Sequence, residues 1–311
     1  MKKIIYFVLI LFFVIVLLPT CIVLCTGKKT ISSEITSNGP FVTVLKHDTG
    51  QTESYSLEKY LEGVVAAEMP ASFHAEALKA QAVAARTFIY NRIISDSPDP
   101  DHPDAHVCTD STHCKAFFSE EHLETKMGDG WYETYFPKIQ ASVIETCGEI
   151  VTYENEPIVA VFHSTGSGRT ENAKDVWGGD LPYLKSVESS GDISSPKFTS
   201  TVEVAKTKVC ETLGVTEAHV YGYERSEGGA VLTVNIGGYL FKGTDIRSYF
   251  DLKSANFEIE EKDDAFIFHV KGSGHGVGLS QYGANALAEA GSNYIDILTT
   301  YYTDVSLSKA W

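Results

Sequence analysis

Basic residues are scarce in this chain. Its 311 residues include 25 Lys and Arg against 41 Asp and Glu, a formal net charge of −16. That balance argues against a nucleic-acid partner, because neutralising phosphates needs a basic face. Several local signatures are missing too. No H-E-x-x-H helix offers a catalytic zinc, and the glycine-rich stretches lack the Lys-Ser/Thr of a phosphate loop. No G-x-G-x-x-G opens a helix for a dinucleotide. The apolar fraction is ordinary, so the chain is globular and long enough for one large domain or two modest ones.

What is present begins with an uncharged apolar run over residues 4–18, preceded by Lys2 and Lys3 and resumed at residues 21–25 after Pro19 and Thr20. About twenty such residues reach across a bilayer. A cleaved signal peptide has the same form, but no A-x-A site follows Leu18. Cys21 and Cys25 also lack the small preceding residue of a lipid-attachment signal. The expectation is a transmembrane anchor over residues 1–27, a polar linker over 28–40 and an exported domain over 41–311.

That domain is organised around residues 61–90, LEGVVAAEMPASFHAEALKAQAVAARTFIY. A lone carboxylate, Glu68, ends an apolar run just before Met69-Pro70. A residue before proline leaves the α region, so a helix starting at Leu57, with Ser56 as its cap, stops here. A second helix follows from about Ser72, with no Gly or Pro until Pro98 and a stripe of Leu78, Ala82, Ala85 and Ile89. Lys79, Arg86 and Tyr90 share one face at about 100° per residue. Two cations beside an apolar carboxylate suit an anionic glycan. An amphipathic helix with a solvated charged face and a capping Glu fits the same text.

Four cysteines lie beyond the anchor. Cys108 and Cys114 sit in a polar loop near residues 99–120, with His102, His106 and His113 beside them. Two thiolates and two imidazoles suit a structural tetrahedral Zn²⁺; a Cys108–Cys114 disulfide is the alternative. Residues 139–146 read as strand or mixed, and residues 158–162 as a buried strand delivering HSTGSGRTE to the rim of a cleft. Ser164 is disfavoured as a nucleophile, because the text is not G-x-S-x-G and His163 and Ser164 on a strand point to opposite faces. Residues 202–213 read as helix ended by Gly214. Short strands follow at 220–225, 231–236, 239–241, 257–260 and 266–270. The loop KGSGHGVGLSQYGA then places four glycines around His275, ahead of a helix to about Ala290. A final helix over 294–302 would pack by Ile295, Leu298 and Tyr302. The class is α+β, in two lobes around a cleft.

Taken together, VVAAEMP with KAQAVAARTF, VFHSTGSGRTE with DVWG, GSGHGVGLSQYGA and the YIDIL tail resemble the stage II sporulation protein D (SpoIID/LytB) family, in order, over about residues 40–305. The resemblance implies a membrane-anchored lytic transglycosylase acting on septal peptidoglycan during engulfment, on the mother-cell side of the sporulation septum. It would cut the MurNAc–GlcNAc β-1,4 bond of denuded strands. By that resemblance Glu68 is the single acid/base, and Lys79, Arg86, His163, Ser164, Thr165, His275, Gln281 and Tyr282 bind substrate. A family zinc would use Cys108, Cys114, His113 and either His102 or His106. His102 is preferred, since His106 lies only two residues from Cys108. Implied partners are a peptidoglycan amidase/endopeptidase and a membrane scaffold of the engulfment machinery. The residues agree in one respect: hydrolytic glycosidases use two carboxylates, and only Glu68 has the apolar, loop-end setting of an acid. A non-catalytic amidase enhancer and a zinc hydrolase are the competing classes.

Overall fold

Alanine decides how the first half packs. In the central helix Ala75–Ile94, the side chains of Ala77, Ala80, Ala82, Ala84 and Ala85 are fully buried. Such small groups let four helices (Leu57–Glu68, Trp131–Glu145, Gln281–Glu289 and Tyr294–Tyr301) and the strand Glu149–Tyr153 pack around it. The computed structural model describes residues 39–95 and 97–311. The expected anchor and all but the end of the linker lie outside the described residues. No helix among the described residues is long and apolar enough to cross a membrane.

An enclosed helix has no solvated face, and this overturns two expectations. Arg86 is fully buried. Its Nε and Nη2 donate to the two carboxylate oxygens of Glu58 at 2.9 and 2.7 Å, and Nη2 and Nη1 also reach the Val143 and Glu149 carbonyls at 3.1 and 3.2 Å. Glu58 in turn accepts the Gly148 N–H at 2.9 Å. Arg86 is therefore a strut between helices and no ligand for a glycan. Lys79 is held between Glu76 at 2.8 Å and Glu145 at 2.7 Å. With Arg86 buried and Lys79 paired to two carboxylates, the two residues do not present a shared face of free cations.

The turn between the first two helices follows the proline rule. Met69 is extended, Phe73 N–H bonds the Pro70 carbonyl, and His74 Nδ1 caps the central helix at Glu76 N–H. Residues 139–146 belong to the helix Trp131–Glu145, not to a strand. There Ile139 and Val143, four apart, bury against the central helix and override the β-branched run. The hairpin Phe41–Leu45/Thr52–Ser56 forms as expected, and Val107–Cys108 adds a parallel third strand that ties the His/Cys loop to it.

Residues 158–161 make no regular strand. Two of their backbone groups are satisfied by side chains, the Val159 N–H by Tyr183 Oη and the Val161 carbonyl by Tyr302 Oη, while the Ile158, Ala160 and Val161 N–H groups donate to nearby carbonyls. Only Phe162–His163 pairs, in parallel, with Leu279–Ser280. In the terminal helix Ile297, Leu298 and Tyr301 are buried while Ile295 is exposed.

A second hydrophobic core, containing Val234, Ile236, Ile246, Phe266 and Phe268, underlies two three-stranded sheets within residues 199–271. Residues 199–205, TSTVEVA, alternate and form a strand beside Ala265–Lys271, so the helix expected from 202 begins only at Lys206 and stops at Gly214. The other five strands of this lobe lie where they were expected. The described residues are thus α+β with two cores.

Removing one member of a buried ion pair strands the other and typically costs about 3–5 kcal/mol. Arg86→Ala should therefore lower unfolding free energy by about that amount in urea titrations. The double variant Arg86→Met/Glu58→Leu should recover most of the loss. An Arg86→Ala protein as stable as the parent would contradict the strut assignment.

Candidate active-site cleft

Glu68 is the last residue of the helix Leu57–Glu68, where unpaired carbonyls disfavour negative charge. The loop that carries the cysteines covers it. Ala116 N–H donates to Glu68 Oε1 at 2.9 Å, and Phe118 N–H donates to the Gly63 carbonyl at 3.2 Å. A methyl group at position 63 would collide with the Phe118 carbonyl oxygen, so glycine is what lets this loop lie on the helix.

Immediately before them in the chain sits Lys115, a residue that sequence reasoning read only as part of the His/Cys loop. Its ammonium lies 3.8 Å from the Phe162 ring centre and 4.3 Å from that of Phe88. Burial pushes the Lys115 amine down to about 8, against the pull of Glu68. Burial likewise holds the Glu68 carboxyl above the ordinary range, with Lys115 and the Ala116 N–H opposing. The pair is an acid and a base, each destabilised in its charged form by the same apolar walls.

These groups open onto a cleft of about 600 Å³ also lined by His163, Trp177, Arg247 and His275. The His163 and His275 rings are 5.6 Å apart, and Trp177, half exposed, stands 5.0 Å from His275. His275 Nδ1 accepts the Val277 N–H at 3.1 Å and its Nε2 donates to the Phe162 carbonyl at 3.0 Å. With both nitrogens engaged, and burial followed by His163 and Lys115 depressing its basicity, His275 is a neutral wall of the site. His163 Nδ1 donates to the Val277 carbonyl at 3.1 Å, and its buried Nε2 has no partner among the described residues. The glycine loop serves this packing. Gly274, at φ +115°, passes so close to His163 that a Cβ there would sit 2.8 Å from the His163 Cβ.

Of the residues expected to bind substrate, the structure brings His163 and His275 to Glu68. The others do not line this cleft. Lys79 and Arg86 are tied up in ion pairs. Gln281 is buried against Gln81, Tyr282 packs edge-on against Phe73, and Ser164 is bound through its carbonyl by the Tyr282 N–H. Thr165 bonds Ser195 at 2.9 Å and lines a smaller adjoining cavity, which shares Arg247, Gly274 and His275 with the cleft. Trp177 and Arg247 went unremarked as site residues. Trp177 reads as loop packing, and Arg247 lies in the other lobe with no local signal.

A second cluster lies next to the first. Ligand atoms of His102, Cys108, His113 and Cys114 all fall within 4.8 Å of one another. His102 Nε2 is 3.2 Å from Cys114 Sγ, and His113 Nδ1 is 3.5 Å from both sulfurs. Edges of about 3.3–3.8 Å are what a tetrahedron with Zn–N and Zn–S bonds requires. The outer nitrogens are oriented as well, His102 Nδ1 by the Ala105 carbonyl at 2.9 Å and His113 Nε2 near Asp99 and Asp101 at 3.6 and 3.4 Å. Both cysteines are free thiols. His106 is turned away, accepting the Thr43 N–H at 3.0 Å. The donor set fits Zn²⁺, and Cys114 directly precedes the two residues that hold Glu68.

Comparison with known proteins gives a consistent picture. A family profile described as stage II sporulation protein matches residues 46–153, which include Glu68 and the His/Cys loop. The chain is 40% identical over 288 residues to stage II sporulation protein D of Bacillus subtilis (strain 168), spanning 91% of this chain and 82% of that protein. It is 41% identical over 273 residues to the Bacillus amyloliquefaciens protein of the same name, with 86% and 79% covered. A more distant relative, 25% identical over 310 residues, is a Bacillus subtilis protein named amidase enhancer, of which the match spans 40%.

The charge on Glu68 has a measurable cost. A carboxyl whose folded pKa is raised favours the fold while protonated, fully so below its unfolded value near 4.5, and loses that benefit as pH rises through the folded pKa. Glu68→Gln, with no charge to desolvate, should melt at a higher temperature than the parent near neutral pH. It should lose that advantage near pH 4. Identical melting curves at neutral pH would show that the carboxylate is solvated.

Proposed function

The chain belongs to the stage II sporulation protein D family, and on that premise we propose that it is a lytic transglycosylase of septal peptidoglycan. The observation that carries the reading is a single half-buried carboxylate, Glu68, in a cleft walled by His163 and His275. No second carboxylate lines that cleft among the described residues. The adjoining cavity has Glu171 and Asp175, but the Glu171 oxygens accept from Ser226 Oγ and the Ala230 N–H, and Asp175 Oδ2 accepts from Asn172 Nδ2 at 2.9 Å. One acid suffices when the substrate supplies its own nucleophile.

Protonated Glu68 donates to the glycosidic oxygen as the C1–O bond breaks. The C6 hydroxyl of the same MurNAc closes on C1, and Glu68 recovers a proton from it. The product is 1,6-anhydroMurNAc, and no water is consumed. An acid of this kind needs a pKa lifted toward the working pH, and burial supplies the lift. Lys115 faces the carboxylate that remains after donation and limits how far its pKa rises. The half-exposed Trp177 indole offers an apolar face to a sugar ring.

We further propose a role during engulfment, a membrane anchor in residues 1–27 with the bulk of the chain outside the cytoplasm, and partnership with an amidase/endopeptidase and a membrane scaffold; the apolar run over residues 4–18 and 21–25 supports the anchor, and the family resemblance supports the rest. A Zn²⁺ held by His102, Cys108, His113 and Cys114 would fix the loop that presents Lys115 and Ala116 and would take no part in proton transfer. The relative named amidase enhancer supports one other reading, a glycan-binding module without chemistry.

Products from denuded strands, analysed by mass spectrometry, separate the readings. The parent should release anhydro ends, and Glu68→Gln should slow their release about 10²–10⁴-fold. Anhydro ends formed equally by both, or by neither, would remove the catalytic role. The metal site is tested independently by elemental analysis, which should find about one zinc per chain. Chelation should lower the melting temperature, and Cys114→Ser should abolish both retention and the chelator effect.

A further inference from the structure

The muramyl residues of a denuded strand carry lactyl carboxylates, and the two cations first matched to them are committed elsewhere. Lys79 lies between Glu76 and Glu145, and Arg86 is sealed in the core. Lys115 is buried against two aromatic rings and offsets the charge of Glu68. A strongly acidic protein that takes an anionic polymer still needs a cation free to meet it.

We propose that Arg247, delivered from the second lobe, is the carboxylate anchor of the cleft. The inference rests on the glycan reading above and names how the strand is held. Arg247 lies on the helix Gly243–Tyr249, whose neighbouring residue Ile246 is fully buried in the second core. Its side chain lines both the cleft and the adjoining cavity, beside His275. Nε donates to the Leu252 carbonyl at 3.4 Å, which orients the guanidinium plane. Among the described residues no carboxylate forms an ion pair with it. Asp251 is near enough to support its charge without bonding it. Both Nη groups are therefore left for a ligand, in the planar fork that matches a carboxylate. Arg247, carried by a helix of the second core, lines the same cleft as Glu68 and Lys115, so a strand bound there is held by groups from both cores.

The test separates binding from turnover by using the full-length chain with Glu68→Gln. Calorimetric titration with denuded strands is compared with the same strands methyl-esterified at the lactyl carboxyl. A hydrogen bond to a charged group is worth about 1.5–3 kcal/mol, so Arg247→Gln should weaken binding of the free-acid strand about 10–150-fold and leave the esterified strand unchanged. Arg247→Lys should fall between. With Arg247 intact, esterification alone should weaken binding by the same factor, a readout that needs no variant at this position. Equal losses on both strands, or no loss on either, would overturn the proposal. These arms require no catalysis, so a parent enzyme that makes no anhydro ends would sink the transglycosylase reading while leaving the anchor intact.

Discussion

A guanidinium locked to a carboxylate inside the protein, Arg86 on Glu58, joins the first helix to the central one. Glu68 ends that first helix, so the ion pair fixes the position from which the acid reaches the cleft. The same guanidinium binds carbonyls of the helix Trp131–Glu145 and the strand Glu149–Tyr153, tying four elements to one planar group. Its desolvation is tolerable because every strong donor direction meets an oxygen. A residue that resembles a surface cation in the sequence is the keystone of the larger core.

Around Glu68 the electrostatics are balanced by geometry. Apolar walls disfavour the ionised forms of both Glu68 and Lys115, and their mutual attraction offsets part of that penalty in each. Proton loss by the acid is thereby coupled to a neighbour that is itself buried among apolar rings. His275 takes no part in that exchange, since it is engaged at both nitrogens, whereas His163 keeps a buried Nε2 without a partner among the described residues. Both rings line the cleft that the acid opens onto.

Much of this was legible in the primary structure where a local rule acts. Met69-Pro70 ends a helix because proline's ring clashes with its predecessor, and Glu68 is at that end. The grouping of His102 with Cys108, His113 and Cys114 depends on short-range spacing, and the turn-bounded strands of the second lobe alternate visibly. Other features were hidden because the deciding partner is distant in sequence. Nothing near Arg86 reveals Glu58 on one side and residues 143–149 on the other. Ile139 and Val143 carry β-branched text into a helix because the central helix demands their volume at that spacing. Residues 158–161 look like a strand, yet tyrosine hydroxyls from positions 183 and 302 satisfy two of their backbone groups. Lys115 and Arg247 carry no motif at all; only the folding of two lobes onto one opening gives them meaning.

The tight approach at Gly63 carries one more consequence. Main chain meets main chain there, so no rotamer change in the covering loop can make room. A single added carbon would lift residues 115–118 from the helix, carrying off the Ala116 amide that bonds Glu68 and the ammonium beside it while leaving the carboxylate in place. The acidity of Glu68 is thus adjustable from more than a full turn away, by steric bulk alone, at a position that bears no charge and does not line the cleft.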